Sequence, residues 1–147
     1  MNQLIIVIVL VSLGYFFGKR AEKKHFKSII EREQELNKLP AMASRMPPQD
    51  GPYDQNLVSG SVVIANDYFK TFVAGLRNLF GGKISTYESL LDRARREALL
   101  RMKEQAKRQG ASYVFNVKYE TANISGQNSK KPPVIEAHAY GTALSKR

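Results

Sequence analysis

The 147-residue chain has no cysteine, no tryptophan and only two histidines. Without Cys there is no disulfide, no thiol nucleophile and no thiolate metal site. His25 and His138 alone leave little for an imidazole-rich metal cage. Acid is scarce beside base: 13 Asp+Glu face 23 Lys+Arg, a formal net charge of +10. That excess predicts an anionic partner, either nucleic acid or a lipid surface. No internal repeat or long low-complexity tract occurs. The length suits one domain, which usually runs to roughly 100–150 residues, plus an appendage.

What is present begins with an apolar run, Leu4 to Phe17 (LIIVIVLVSLGYFF), inside 18 uncharged residues from Met1 to Gly18. As a helix this stretch would be roughly 27 Å long, near the ~30 Å hydrocarbon thickness of a bilayer. A membrane anchor would use Leu4, Ile5, Ile6, Val7, Ile8, Val9, Leu10, Val11, Leu13, Tyr15, Phe16 and Phe17. A cleaved signal peptide would carry charge before the run and a small-residue cleavage site after it, and neither is there. A buried core helix would not be apolar all round, so an uncleaved anchor is the expectation. Lys19, Arg20, Lys23, Lys24 and Lys27 follow at once. By the positive-inside rule they place the N-terminus out and the rest in the cytoplasm of a bacterial inner membrane.

Residues 19–39 lack Gly and Pro and carry one narrow stripe through Phe26, Ile29, Ile30, Glu33, Leu36 and Leu39. They read as a basic juxtamembrane helix, solvated rather than coiled. His25 reads as a surface residue. Residues 40–56 hold four of the six Pro and read as a linker, extended or disordered. Residues 57–147 form the domain. A strand is expected over Leu57–Ala65, and a helix over Asp67–Phe80 ended by Gly81-Gly82. A second helix from Ser85 to about Gln109 has Tyr87, Leu90, Leu91, Ala94, Ala98, Met102 and Ala106 inside and Gly110 as its stop. A strand over Ser112–Thr121 would alternate Tyr113, Phe115, Val117 and Tyr119, and a last strand over Val134–Leu144 carries Ala137, Ala139, Gly141 and Ala143 on one face. The expected fold class is α+β, a β-α-α-β-β two-layer subunit with an antiparallel sheet, preceded by one transmembrane helix. One sheet face stays uncovered, which favours self-association.

The domain resembles the YbjQ-like family, often labelled heavy-metal-binding. The resemblance rests on Ala74-Gly75-x-Arg77, Gly81-Gly82 with Ile84, Tyr87, the Ala/Arg/Glu-rich helix, Gly110-Ala111, Asn116-Val117 and Ala139-Tyr140-Gly141-Thr142, in order across Leu57 to about Ser145. It implies a ring-forming subunit, with a homopentamer as the family's arrangement, and no settled reaction. Within the motif, Arg77, Gly81, Gly82 and Tyr87 are assigned to a turn or a subunit interface. The chain departs from the family at Thr71, where many relatives carry Asp, and at Lys83, where Glu or Arg is common. Both departures weigh against an acidic metal cluster there.

The chemistry that remains is thin. Glu136 and His138 share a strand face at period 2, the one candidate metal pair, but soft metals want thiolates. An ordinary polar strand face is the simpler reading. No paired carboxylates, Ser-His-Asp set or phosphate fingerprint is visible, so no enzyme and no cofactor is expected. The domain carries 15 Lys+Arg against 7 Asp+Glu, and seven of the basic residues sit on the second helix. Without a nucleic-acid motif, a membrane surface is favoured over nucleic acid for that helix. The expected function is a membrane-anchored, non-enzymatic scaffold or adaptor whose partners are the membrane and further copies of itself. The alternative is a metal- or small-ligand-binding module working through the ring.

Overall fold

The computed structural model describes residues 2–48, 51–65, 85–125 and 134–147, except the side chains at 2, 4, 7, 8, 10, 11, 15 and 85–87. The elements are α1 (Asn2–Glu35), β1 (Tyr53–Ala65), α2 (Ser85–Arg108), β2 (Tyr113–Asn123) and β3 (Val134–Lys146). The helix expected over Asp67–Phe80, with Arg77, Gly81 and Gly82, lies outside the described residues. So does the side chain of Tyr87.

β3 is the central strand of an antiparallel sheet of order β1-β3-β2. The register runs from Tyr53↔Lys146 to Ala65↔Val134 on one side and from Tyr113↔Leu144 to Asn123↔Ile135 on the other. β1 starts at Tyr53 rather than Leu57. Its polar first residues are held by pairing with the end of β3, by an Arg147–Asp54 ion pair at 2.7 Å, and by an edge-to-face contact of Tyr53 with Tyr113.

α2 covers one sheet face. Leu90, Ala94, Ala98, Met102 and Ala106 are buried there against Val58, Val62, Ile64, Ile135, Ala137, Ala139 and Ala143. The small residues of β3 therefore serve the helix contact within one chain; they are not the uncovered face. Gly60 makes that contact possible. A Cβ placed on it would lie 2.4 Å from the Ala98 carbonyl oxygen and 2.5 Å from the Met102 backbone nitrogen. The helix ends as its sequence predicts. Gly110 takes φ +72°, its N–H donates to Lys107 O, and the Ala111 N–H donates to Ala106 O. This pair of bonds is a Schellman closure.

β2 departs from simple alternation. Between Phe115↔Thr142 and Lys118↔Tyr140 the strand gains a residue, and Asn116 sits at φ 54°. Asn tolerates the left-handed region better than most residues. The bulge moves Val117 and Tyr119 to the face opposite Phe115, because one extra residue flips everything after it. Gly141 lies across from the bulge, where a Cβ would press on Val114 and Val117 at 3.0 and 3.3 Å.

The proline-rich stretch is partly structured. Ala41 bridges Val114 in parallel. Pro40 O accepts from Val114 N–H, Met42 N–H donates to Val114 O, Val117 N–H donates to Met42 O, and Asn116 N–H donates to Ser44 O, at 2.8–3.0 Å. Residues 40–44 thus cover the free edge of β2 and satisfy the amides that the bulge turns outward.

α1 corrects the reading of the N-terminus. Among the described residues, no helix is long and apolar enough to cross a membrane. The apolar stretch Leu4–Phe17 spans 14 residues, against the roughly 20 that a span requires, and α1 continues unbroken into Lys19 and Arg20. The expected transmembrane helix through Leu4–Phe17 is therefore overturned. With it goes the single-pass inner-membrane localisation that Lys19, Arg20, Lys23, Lys24 and Lys27 were read to orient. Ile5, Ile6, Val9, Leu13, Phe16 and Phe17 are 49–66% exposed on this helix.

Replacing Gly60 with Ala should be severely destabilising, because the new methyl meets helix backbone rather than a movable side chain. Chemical denaturation should show a loss of about 2 kcal/mol, whereas Gly14→Ala, in open space within α1, should be neutral or stabilising by up to about 1 kcal/mol.

Candidate functional site

Two places concentrate chemistry: the seam between α1 and α2, and the open face of the sheet. The seam was expected to be a solvated stalk. Instead Ile29 and Leu36 are buried with Leu100, and Leu39 enters the main core. Ile30, by contrast, stays exposed.

Around this apolar contact the helices exchange charges along their length. Arg93 Nη1 lies 3.9 Å from Glu22. Arg96 takes both oxygens of Glu33 at 2.7 Å, a bidentate fork, and Lys107 meets Glu35 at 2.7 Å. Arg32 points the other way, donating to Glu97 and, at 3.2 Å, to Glu104. Arg101 donates Nε to Glu97 Oε1 at 2.9 Å and Nη1 to Ser61 O at 2.8 Å.

Glu97 is the centre of the seam. It is only 3% exposed and is the buried charged residue among those described. Burial pushes its carboxyl up, but hydrogen bonds from Arg32 and Arg101 together with their charges outweigh that and hold it below the ordinary range. The Arg96 fork likewise lowers Glu33 against the opposing pull of burial. His25, read as a surface residue, lies in the seam with Nε2 3.9 Å from Glu97. Burial and the neighbouring Arg93 lower its pKa despite Glu97. The spacing of Leu100 and Glu97, on the side of α2 opposite its alanine stripe, was the available signal for this second contact.

The seam also corrects the reading of α2 as a free basic surface. Arg93, Arg96, Arg101 and Lys107 are engaged by carboxylates of the same chain.

On the open sheet face, Glu136, His138, Tyr140 and Thr142 of β3 stand opposite Val63, Ser61, Ser59 and Leu57 of β1. Glu120 of β2 faces His138 in register, but the Tyr140 hydroxyl donates to it at 3.0 Å, which holds the Tyr140 pKa up. The His138 and Tyr140 rings lie 5.6 Å apart. Glu136 and His138 therefore share the face expected for them, as two donors. Among the described residues, no group of three or more His, Cys, Asp or Glu is placed to hold a metal ion. With no Cys in the chain, these residues do not fit a heavy-metal centre within one subunit. Leu57 and Val63 flank the polar ladder, 73% and 57% exposed.

A family model described as "Putative heavy-metal-binding" matches residues 53–147. The chain belongs to this YbjQ-like family. Its relatives include a UPF0145 protein of Hahella chejuensis, 41% identical over 88 residues, covering 60% of this chain and 79% of the relative. UPF0145 proteins of Pyrococcus furiosus and Dehalococcoides mccartyi are 37% identical over 90 residues and 40% identical over 88. These two alignments cover 61% and 60% of this chain, and 74% and 79% of the relatives. A crystal structure of a protein of unknown function from Pediococcus pentosaceus superposes with a TM-score of 0.50 at 14% identity, over 74% of this chain and 98% of that one. It shares the fold. The YbjQ-like match begins at β1, so α1 and its half of the seam lie outside it.

Two predictions follow from the charges of the seam. Glu97→Ala leaves two guanidinium groups facing a buried gap and should cost on the order of 3 kcal/mol by denaturant unfolding. It should also speed hydrogen exchange of the α1 amides.

Acid should loosen the seam in two stages, followed by thermal melts from pH 7.5 downward. His25 has a folded pKa below its ordinary 6.5, so the unfolded chain binds the proton more readily and stability falls as pH drops below 6.5. Glu97 and Glu33 are lowered from 4.5, so their contribution is full above that value and is lost as pH falls through the folded values. His25→Gln should abolish the first stage and leave the second.

Proposed function

We propose that this YbjQ-like protein is a non-enzymatic scaffold or adaptor that works as a homo-oligomer, self-associating through the open face of its sheet. The observation that carries the reading is that face itself. α2 covers only one side of the sheet, and the other presents exposed Leu57 and Val63 beside the Ser59, Ser61, Glu136, His138 and Tyr140 ladder. A second copy would bury the apolar pair and supply partners to the polar groups, the usual composition of a subunit contact. The ring, with five subunits, is the arrangement that the family resemblance implies. Nucleic acid is disfavoured as a partner, because four of the seven basic residues of α2, Arg93, Arg96, Arg101 and Lys107, are paired with Glu22, Glu33, Glu97 and Glu35.

Light scattering on the eluting full-length chain tests this. The wild type should elute as a closed multimer, and Leu57→Lys with Val63→Lys should reduce it to monomer with unchanged far-UV dichroism. A monomeric wild type at tens of micromolar would sink the proposal. Metal analysis of the same multimer separates the alternative reading, since stoichiometric metal lost on Glu136→Ala and His138→Ala would transfer the role to metal binding.

A further inference from the structure

We propose that α1 is a hinged arm that acid releases from α2 while the family domain stays folded. The hinge is the turn at residues 36–38. α1 ends at Glu35, Leu39 is buried in the main core, and residues 40–44 are hydrogen-bonded along β2. The chain after the turn is thus fixed to the domain, and α1 before it is fixed by the seam. The apolar contact of the seam, Ile29 and Leu36 on Leu100, is a cluster separate from the core between α2 and the sheet. Release of the arm therefore leaves that core closed.

The seam is built to part. His25 Nδ1, Arg32 Nε and Arg93 Nε are buried in it with no hydrogen-bond partner among the described residues. Each has given up water in the docked state without a partner in return, and each regains water on release. That lowers the cost of opening below what the ion pairs alone would set.

The trigger is His25. Its side chain is 39% exposed and lines a cleft of about 370 Å³ between α1, β1 and α2, so a proton can reach it. Arg93, Glu97 and Arg101 face it from α2, with Arg32 and Glu22 beside it on α1. From β1 the cleft is lined by residues 62–65, none of them titratable. Glu97 is already committed to Arg32 and Arg101, and its 3.9 Å distance to His25 Nε2 is too long for a hydrogen bond. A protonated ring would add positive charge among three guanidinium groups and place an N–H at the buried Nδ1 with no acceptor. Burial and Arg93 accordingly hold the docked His25 below 6.5 against the pull of Glu97. The released arm takes the proton more readily, so docking weakens as pH falls below 6.5. Glu33 and Glu97 are held below 4.5 and stay charged through this step. Release bares Leu100 together with Arg93, Arg96 and Lys107, so acid controls access to the outer side of α2 through the arm.

Hydrogen exchange read by mass spectrometry tests this on the full-length chain at pH 7.5 and 5.5, with each rate corrected for intrinsic chemistry. Between the two pH values, corrected exchange at residues 22–35 should rise at least about threefold, and at residues 135–144 of β3 it should change by less than about twofold. His25→Gln should flatten the α1 response, whereas His138→Gln, on the open sheet face, should leave it unchanged. No rise in α1, an equal rise in α1 and β3, or the wild-type response persisting in His25→Gln overturns the proposal.

Discussion

The close approach of α2 to the sheet is the constraint on which the rest of the molecule depends. At Gly60 the helix backbone comes so near that no side chain fits between them. Such a separation requires small residues on both surfaces, and they are there: Ala94, Ala98 and Ala106 on the helix, Ala137, Ala139 and Ala143 on β3. A contact this thin buries modest apolar area per residue. The helix therefore has to lie along the whole sheet, from Leu90 to its glycine stop, and that placement commits one sheet face entirely. Two consequences follow. Among the described residues the other sheet face stays exposed at Leu57 and Val63, and the outer side of α2 is left to be covered by something else.

α1 covers that outer side largely with charge. Ile29 and Leu36 close on Leu100, but most of the seam is carboxylate against guanidinium or ammonium. A buried ion pair gains little over a well-packed apolar contact, because desolvation offsets the attraction. It does discriminate sharply between registers. Sliding α1 by one turn would strand Glu97 beneath an apolar residue and set Glu33 away from the Arg96 fork. The seam thus fixes where α1 sits more than it fixes how strongly, and the cleft beside His25 inherits that position.

The domain was more legible in the sequence than the seam. The alanine stripe of α2, its start at Ser85, its stop at Gly110 and the outward alternation of Glu136, His138 and Tyr140 were readable, because period and turn chemistry are local. The bulge at Asn116 was not, since alternation over Tyr113–Tyr119 looks regular until the partner strand shows two residues opposite one. Residues 40–44 looked like a linker for the same reason: an edge pairing with β2 leaves no mark in a proline-rich composition. The seam failed to show because its glutamates and arginines are individually ordinary. Glu97 differs from Glu88 only in what α1 brings to it. The apolar run at the N-terminus was misread as a span because its length was counted with Met1, Asn2 and Gln3.

The net charge of +10 takes on a different meaning once the pairs are drawn. On composition it pointed outward, to an anionic surface that the second helix would face. In the structure the acids of α1 pair with Arg93, Arg96 and Lys107 of that helix, so part of its charge is directed inward. The absence of cysteine points the same way. It weighs against the metal that the family's description names, because soft cations want thiolate ligands.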